Sequence, residues 1–102
     1  MAEWITAEEL TQKLSGHDEA FLLLDVRLSP QGGIPGSRHI SVIDLEDGDW
    51  PWPVDQHFVV YCQFGKGSSD YAAEVLEEKG YRHVLKLRGG LDAWRALEGK
   101  GG

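Results

Sequence analysis

The sequence predicts a single three-layer α/β/α domain, with helices on both faces of a mostly parallel sheet of about five strands. Two apolar runs, residues 21–26 and 58–61, do not alternate with polar residues and are typical of strands buried on both faces. Segments with helical periodicity separate the strands, and such alternation is typical of a parallel sheet. The 102 residues fit one domain spanning residues 1–102, and no internal repeat or linker divides them.

The composition argues against several classes of partner. A net charge of −7 argues against nucleic acid and against an anionic membrane surface. No apolar run is long enough to span a bilayer, and the N-terminal residues lack the basic start and apolar core of a signal peptide. The one cysteine cannot form an internal disulfide, and no Cys/His cluster has metal-ligand spacing. We therefore expect a cytoplasmic protein without a metal or cofactor.

The first predicted helix covers residues 5–15. Thr6 is a good N-cap, Glu9 completes a capping box, and Gly16 ends the helix. The buried strand at residues 21–26 follows.

Asp25 and Arg27 lie at the carboxyl end of this strand, where parallel α/β sheets gather functional groups. We favour the interpretation that they form an ion pair, which supports a site without taking part in its chemistry.

The middle of the chain predicts little regular structure. Residues 29–37 contain two prolines and three glycines and read as a loop, and residues 38–42 read as a short strand. Residues 44–55 are acidic, and the prolines that follow Trp50 and Trp52 argue against regular structure there. We expect the two tryptophans to cover a core, with an exposed docking surface as the alternative.

The C-terminal part predicts a helix, a strand and a second helix. Residues 69–79 place apolar side chains on one helical face, and Gly80 ends that helix. A strand is predicted within residues 81–87, a helix over residues 91–97 and a flexible tail over residues 99–102. The inward-facing residues of the last helix are predicted to be Leu91, Trp94 and Leu97.

The candidate reactive group is Cys62, at the end of the strand over residues 58–61. The loop that follows consists of Gln63, Phe64, Gly65, Lys66 and Gly67, and Ser68 and Ser69 open the next helix. Backbone N–H groups of a glycine-bearing loop and of a helix N-terminus attract anions and would stabilise a thiolate. A lone cysteine after an apolar strand is also compatible with an inert buried residue. The loop favours a nucleophile or a persulfide carrier.

Four motifs, together, resemble those of the single-domain rhodaneses, the small sulfurtransferase modules. They are LLLDVR at residues 22–27, GGIPGSRHI at residues 32–40, VVYCQFGKGSS at residues 59–69 and LRGGLDAW at residues 87–94. They follow the order of the family and cover nearly the whole chain. The resemblance implies a rhodanese-like fold.

The resemblance also implies a function. Cys62 would take a sulfane sulfur from a donor such as thiosulfate, hold it as a persulfide and pass it to cyanide or a thiol. The backbone N–H groups that would bind the substrate belong to Gln63, Phe64, Gly65, Lys66, Gly67 and Ser68. The absence of a second cysteine fits, because a resolving thiol would remove the sulfur as a disulfide formed.

Loop length separates this reading from the related phosphatases. Residues 62–67 form the six-residue loop that the family associates with sulfur transfer, whereas the phosphatases have one residue more and an arginine six positions after the cysteine. That position is Ser68 here, so a phosphoryl dianion lacks a guanidinium clamp.

Two departures from the family concern the rim of the predicted site. Many relatives carry arginine at the position of Gly67, so Lys66 is the only cation in this loop. Gly33 stands where histidine or tyrosine is common. The alternative function is a relay or binding module that accepts sulfur from a partner, such as a sulfur-carrier or desulfurase protein, with Trp50 and Trp52 as its docking patch.

Overall fold

The computed structural model describes residues 2–16, 20–29, 32–65 and 67–101. Strands and helices alternate along most of the chain. In chain order they are β1 (Glu3–Ile5), α1 (Ala7–Gly16), β2 (Phe21–Asp25), β3 (Arg38–His39), α2 (Val42–Asp47), β4 (His57–Tyr61), α3 (Ser68–Glu78), β5 (His83–Leu87) and α4 (Gly90–Gly101).

Within the described residues, the five strands form one sheet in the order β1-β5-β4-β2-β3, and every pairing in it is parallel. Helices α2 and α3 contribute to the core on one face, and α1 and α4 contribute to the core on the other. The predicted fold class, with a parallel sheet between two helical layers, is confirmed. Parallel connections of this kind bring the carboxyl ends of β2 and β4 to the same edge of the sheet.

Strand β4 lies at the centre of the sheet and supplies both cores. Phe58 and Val60 belong to the core beneath α2 and α3, whereas Val59 and Tyr61 belong to the core beneath α1 and α4. All four are essentially inaccessible to solvent, which is why the sequence shows no apolar–polar alternation here. The alternation of side chains then directs Cys62, the next residue, to the α3 face.

The N-terminal helix has the predicted capping box. The Glu9 N–H donates to Thr6 Oγ1 at 3.1 Å, and the Thr6 N–H donates to Glu9 Oε1 at 3.0 Å. Because Thr6 is the cap, the helix begins at Ala7, two residues later than predicted. Ile5 instead ends β1, an edge strand that we did not predict and that pairs with β5.

The segment after β3 differs from the prediction. The strand predicted over residues 38–42 is only two residues long. Helix α2 begins at Val42, the last residue of that predicted strand, and continues into residues 44–47, which we expected to be irregular. The Ser41 hydroxyl caps this helix by accepting from the Asp44 N–H, and an acidic residue in the first turn is favourable at a helix N-terminus.

Trp50 and Trp52 are half-buried against the α2–α3 core, in agreement with the covering role that we favoured. Their rings stack with centroids 5.0 Å apart, and the Trp52 ring meets the edge of Phe58 at 5.2 Å. Trp50 Nε1 also donates to the Leu45 carbonyl at 3.0 Å. Phe58 begins the buried part of β4, so the pair lies towards the opposite end of that strand from Cys62.

The C-terminal elements are close to prediction, with one correction. Gly80, at φ +101°, ends α3, and the N–H of Tyr81 reaches back to the Leu76 carbonyl at 3.0 Å. Helix α4 continues to Gly101, so residues 99–101 are helical where we expected a flexible tail. Residue 102 of that tail lies outside the described residues, as do residues 30 and 31 of the predicted loop. No helix in the described part of the chain is long and apolar enough to cross a membrane.

Candidate active site

Cys62 follows the last residue of β4 at the carboxyl edge of the sheet, and 5% of the residue is exposed. Its Sγ lies 3.4 Å from the hydroxyl of Ser69, a fully buried residue in the first turn of α3. The thiol donates to this hydroxyl, and a thiolate in the same position could accept from it. Ser69 is therefore a positioning residue for the sulfur. We did not assign it to the site from the sequence.

The loop between Cys62 and α3 turns through left-handed backbone conformations. Gly65 has φ +78° and Gly67 has φ +68°, values that residues other than glycine rarely adopt. Gly67 is also the N-cap of α3 and supplies no side-chain hydrogen bond to it. A positive-φ loop that leads into an uncapped helix N-terminus is an arrangement suited to an anion. Lys66 lies outside the described residues, and its role stays a prediction.

The start of helix α4 fixes the loop by two backbone hydrogen bonds. The N–H of Leu91 donates to the Cys62 carbonyl at 2.9 Å, and the N–H of Asp92 donates to the Gln63 carbonyl at 3.0 Å. These bonds use donors that the first turn of a helix cannot satisfy internally. The loop between β4 and α3 is thus also held by a third element, α4.

Two glycines make this close approach possible. A Cβ on Gly90 would collide with the Cys62 carbonyl oxygen, and a Cβ on Gly65 would come within 2.6 Å of the Gly89 nitrogen. The Gly-Gly pair at residues 89 and 90, where α4 begins, is read from the sequence only as part of a motif, and the structure shows that it is required because the two backbones touch there.

Asp25 and Arg27 form the predicted ion pair. Arg27 Nη2 lies 2.7 Å from Asp25 Oδ2, and Arg27 Nε and the Arg27 backbone N–H each donate to Oδ1 at 3.0 Å. Burial opposes ionisation of Asp25, but the hydrogen bonds and charge of Arg27 outweigh it and hold the pKa of the carboxyl below its ordinary value. The same carboxylate raises the pKa of Arg27.

Arg27 also connects this ion pair to the loop, because its Nη1 donates to Gln63 Oε1 at 3.1 Å. The guanidinium is therefore oriented from both sides, by Asp25 and by Gln63. A planar group with its donors fixed in this way is a rigid part of the wall beside Cys62.

The Tyr61 hydroxyl completes a polar network that the sequence did not reveal. It donates to Asp25 Oδ2 at 3.1 Å, accepts from the Ile34 N–H at 2.9 Å and lies 2.9 Å from Ser37 Oγ. Burial raises the pKa of this phenol, so it remains protonated.

Gly33 packs directly on the same network. A Cβ there would come within 2.9 Å of both Asp25 Oδ2 and the Tyr61 hydroxyl. The residue that departs from the family pattern thus leaves room for this network.

The open cleft beside Cys62 has a volume of about 530 Å³, which lies within the range of roughly 300 to 1,000 Å³ that is ordinary for small-molecule sites. Its lining residues are Arg27, Leu28, Ser29, Cys62, Gln63, Phe64 and Ser68. Leu28 and Phe64 are 73% and 64% exposed and form its apolar rim. The structure therefore brings the predicted Cys62, Gln63, Phe64 and Ser68 together, while Gly65 and Gly67 shape the loop.

No three His, Cys, Asp or Glu side chains among residues 2–16, 20–29, 32–65 and 67–101 are grouped closely enough to hold a metal ion.

Comparison with known proteins gives a consistent family. Residues 6–97 match the rhodanese-like domain. A sulfurtransferase of Allochromatium vinosum is 33% identical over 97 residues, which cover 92% of this chain and 89% of that protein. The thiosulfate sulfurtransferase GlpE of Ectopseudomonas mendocina is 37% identical over 79 residues, covering 74% of this chain and 71% of the relative.

Solved structures agree with this assignment. The rhodanese-like domain of an Anabaena protein superimposes with a TM-score of 0.83 at 30% identity, covering 95% of this chain and 76% of the other. The thiol, the loop that surrounds it and the sequence match over residues 6–97 lead to one conclusion: the chain belongs to the rhodanese-like domain family.

Proposed function

We propose that this protein is a thiosulfate:acceptor sulfurtransferase that carries sulfane sulfur as a persulfide on Cys62. The observation that supports the proposal is the position of the thiol, where β4, a positive-φ loop and the uncapped N-terminus of α3 meet at an open cleft. Such a site stabilises an anionic sulfur without a metal or cofactor. Small sulfur donors are the proposed substrates, and thiols or cyanide are the proposed acceptors.

In the first half-reaction the Cys62 thiolate attacks the sulfane sulfur of thiosulfate. An S–S bond forms between enzyme and substrate, the bond between the two thiosulfate sulfurs breaks, and its electron pair leaves with sulfite. The charge is conserved, because a thiolate and a dianion become a persulfide anion and a dianion. Backbone N–H groups of the loop would donate hydrogen bonds to the persulfide. The Ser69 hydroxyl, 3.4 Å from Sγ, would donate to the thiolate from which the persulfide forms.

In the second half-reaction an acceptor takes the outer sulfur. Cyanide attacks it, the persulfide S–S bond breaks, thiocyanate leaves and the electron pair returns to Cys62 as a thiolate. A thiolate acceptor follows the same route and leaves as a persulfide. The exposed rim residues Leu28 and Phe64 would contact the carbon skeleton of an organic acceptor.

Phosphate transfer is disfavoured by the same geometry. Ser68, which occupies the position of the phosphatase arginine, begins α3 and lines the cleft. The guanidinium in the cleft wall, Arg27, is bound to Asp25 and Gln63. A phosphoryl dianion needs a guanidinium whose paired N–H donors point at it, whereas all three side-chain nitrogens of Arg27 already donate to Asp25 or Gln63.

The deciding experiment is the intact mass of the protein after incubation with thiosulfate. We expect the mass of one added sulfur atom, lost on addition of cyanide with formation of thiocyanate. The matched control is Cys62→Ser, which should gain no sulfur. A wild-type protein that remains at its unmodified mass with every sulfur donor would contradict the proposal.

The second candidate is a relay in which a sulfur-carrier or desulfurase protein delivers the sulfur. The partner would dock on the apolar rim of the cleft, because Leu28 and Phe64 are exposed beside Cys62. This rim suits docking better than the tryptophans do, since Trp50 and Trp52 are packed on the core. Loading from a persulfidated desulfurase, compared with loading from thiosulfate, separates the two. Efficient loading from the protein and negligible loading from thiosulfate would favour the relay.

A further inference from the structure

A second groove adjoins the cleft that contains Cys62. It encloses about 450 Å³, and we call it the side groove. Its lining residues are Trp4, Phe64, Gly65, Asp70, Arg88 and Gly89. Phe64 lines both the side groove and the cleft, so the two adjoin at this exposed residue.

The side groove has a cation at its edge. Arg88 is exposed, and its guanidinium carbon lies 5.7 Å from the centre of the Trp4 ring. Within the described ranges no carboxylate lies within ion-pair distance of it. The neighbouring cation differs, because Lys86 is paired with Asp70 at 2.9 Å and also lies 4.1 Å from the Trp4 ring. Arg88 thus offers a positive charge to a ligand, on a chain of net charge −7.

The floor of the side groove is backbone, and two of its walls are aromatic. Gly65 and Gly89 approach so closely that a Cβ on Gly65 would come within 2.6 Å of the Gly89 nitrogen. The Trp4 ring, on a residue that is 40% exposed, and the Phe64 ring provide apolar surface. A ligand that fits here carries a small carbon skeleton and an anionic end.

We propose that the side groove binds the carboxylate end of a small organic persulfide, the sulfur of which is delivered to Cys62. The inference rests on the proposed function and names a donor class for the same thiol. Arg88 would bind the carboxylate, while Trp4 and Phe64 would contact the carbon skeleton. The volumes of the two parts, about 450 and 530 Å³, are those of small-molecule sites. Thiosulfate has no carbon skeleton and would use the cleft alone.

The transfer step needs no additional reactant. The Cys62 thiolate attacks the outer sulfur of the organic persulfide, and a new S–S bond forms. The bond between the outer and inner sulfurs breaks, and its electron pair leaves with the inner sulfur as the organic thiolate. The proton on the outer sulfur stays with it, so the enzyme gains a persulfide and the donor becomes a thiol on protonation by water.

The test compares two donors that differ only in their carboxylates, glutathione persulfide and the persulfide of glutathione diethyl ester. Wild-type protein should prefer the free acid, measured as the ratio of the two kcat/KM values. Arg88→Gln should reduce that preference by about fivefold, through the KM for the free acid, because one solvent-accessible ionic hydrogen-bonded contact is lost. Arg88→Lys should keep part of the preference.

Arg82→Gln is the matched control, because Arg82 precedes β5 and Arg88 follows it, about 20 Å apart along the strand. It removes the same charge from the chain and should keep the wild-type preference. An unchanged preference in Arg88→Gln, or an equal loss in Arg82→Gln, would overturn the inference.

Thiosulfate loading of the wild-type protein separates the two proposals. If thiosulfate loads Cys62 and the preference does not depend on Arg88, only the side groove assignment fails. If neither thiosulfate nor either persulfide adds sulfur to the protein, the proposed function itself fails.

Discussion

Tyr61 and Cys62 are adjacent in the chain, but their side chains lie on opposite faces of the sheet and in opposite surroundings. The Tyr61 hydroxyl makes contacts of 2.9 to 3.1 Å with the buried residues Asp25 and Ile34 and with the half-buried Ser37. The Cys62 sulfur has a longer contact of 3.4 Å with Ser69 and lines an open cleft. The short hydrogen bonds of the Tyr61 hydroxyl therefore lie next to the proposed nucleophile, on the other face of the sheet.

This difference separates two tasks that one residue could not perform. A group with several short hydrogen bonds is held in place, whereas a nucleophile must keep an accessible lone pair for its substrate. The Tyr61 network holds the ends of β2 and β4 in register, since Asp25 and Tyr61 are direct partners across the two strands. Because Cys62 follows Tyr61 directly, the network also fixes the position of the Cys62 backbone.

The largest effect is expected from substitution of Cys62, the proposed nucleophile. Cys62→Ser should reduce cyanide-dependent sulfur transfer by at least about a thousandfold, because a serine hydroxyl cannot carry the sulfane sulfur. Thiocyanate production is the measurement. The melting temperature should remain near that of the wild type, since the two side chains are nearly equal in size. Substantial thiocyanate from a folded Cys62→Ser protein would show that another group carries the sulfur.

Removal of the phenolic hydroxyl should affect stability more than chemistry. In Tyr61→Phe the buried Ile34 N–H and Asp25 Oδ2 lose a partner, and we expect the free energy of unfolding to fall by about 2 kcal/mol. Urea denaturation measures it. A decrease smaller than about 0.5 kcal/mol, the range of an ordinary surface substitution, would mean that the network does not hold the strands together.

The decrease in the free energy of unfolding at acid pH tests the same network through Asp25. The pKa of Asp25 is lowered in the folded protein, so its contribution is complete above the unfolded pKa of about 3.9 and is lost as the pH falls through the lower folded value. We expect the unfolding free energy of wild type to fall in this acid range. Asp25→Asn should be less stable at neutral pH and should lose less as the pH decreases. Parallel profiles for the two proteins would contradict this role.

The smallest effect is expected at Ser69. Ser69→Ala should lower kcat/KM for thiosulfate by about threefold, because a hydrogen bond to sulfur is weak and the loop N–H groups remain. The loss should appear mainly in kcat, since the hydroxyl contacts the enzyme sulfur. Steady-state kinetics with thiosulfate and cyanide measures this. A loss as large as that of Cys62→Ser would mean that the hydroxyl is essential for the reaction, and would contradict a role limited to positioning the sulfur.

The parts of the fold that could be predicted are those in which the signal is local. The two apolar runs indicated central strands because β4 contributes side chains to both cores. Thr6 and Glu9 indicated a helix start because a capping box involves residues three apart. The loop after Cys62 was recognisable because its glycines are needed for a backbone conformation that is a local property.

The parts that could not be predicted depend on contacts between distant segments. In the sequence Tyr61 is simply the last apolar residue of a strand. Its hydrogen-bond partners Ile34 and Asp25 are 27 and 36 positions away in the chain. Strand β1 has three residues and helix α2 six, too few to show a period. The closeness of Gly90 to the Cys62 carbonyl likewise exists only after α4 packs on the loop.

The hydrogen bonds from Leu91 and Asp92 to the loop carbonyls bear on when, during synthesis, the loop beside Cys62 reaches its folded geometry. The residues of α4 leave the ribosome after Cys62, and domains fold as units once their segments are available. A nascent chain that lacks α4 therefore has a loop after Cys62 that is not yet held by these two hydrogen bonds. The geometry of the loop beside Cys62 is therefore complete only after α4 has docked, and any chemistry that depends on this geometry begins at that stage of synthesis.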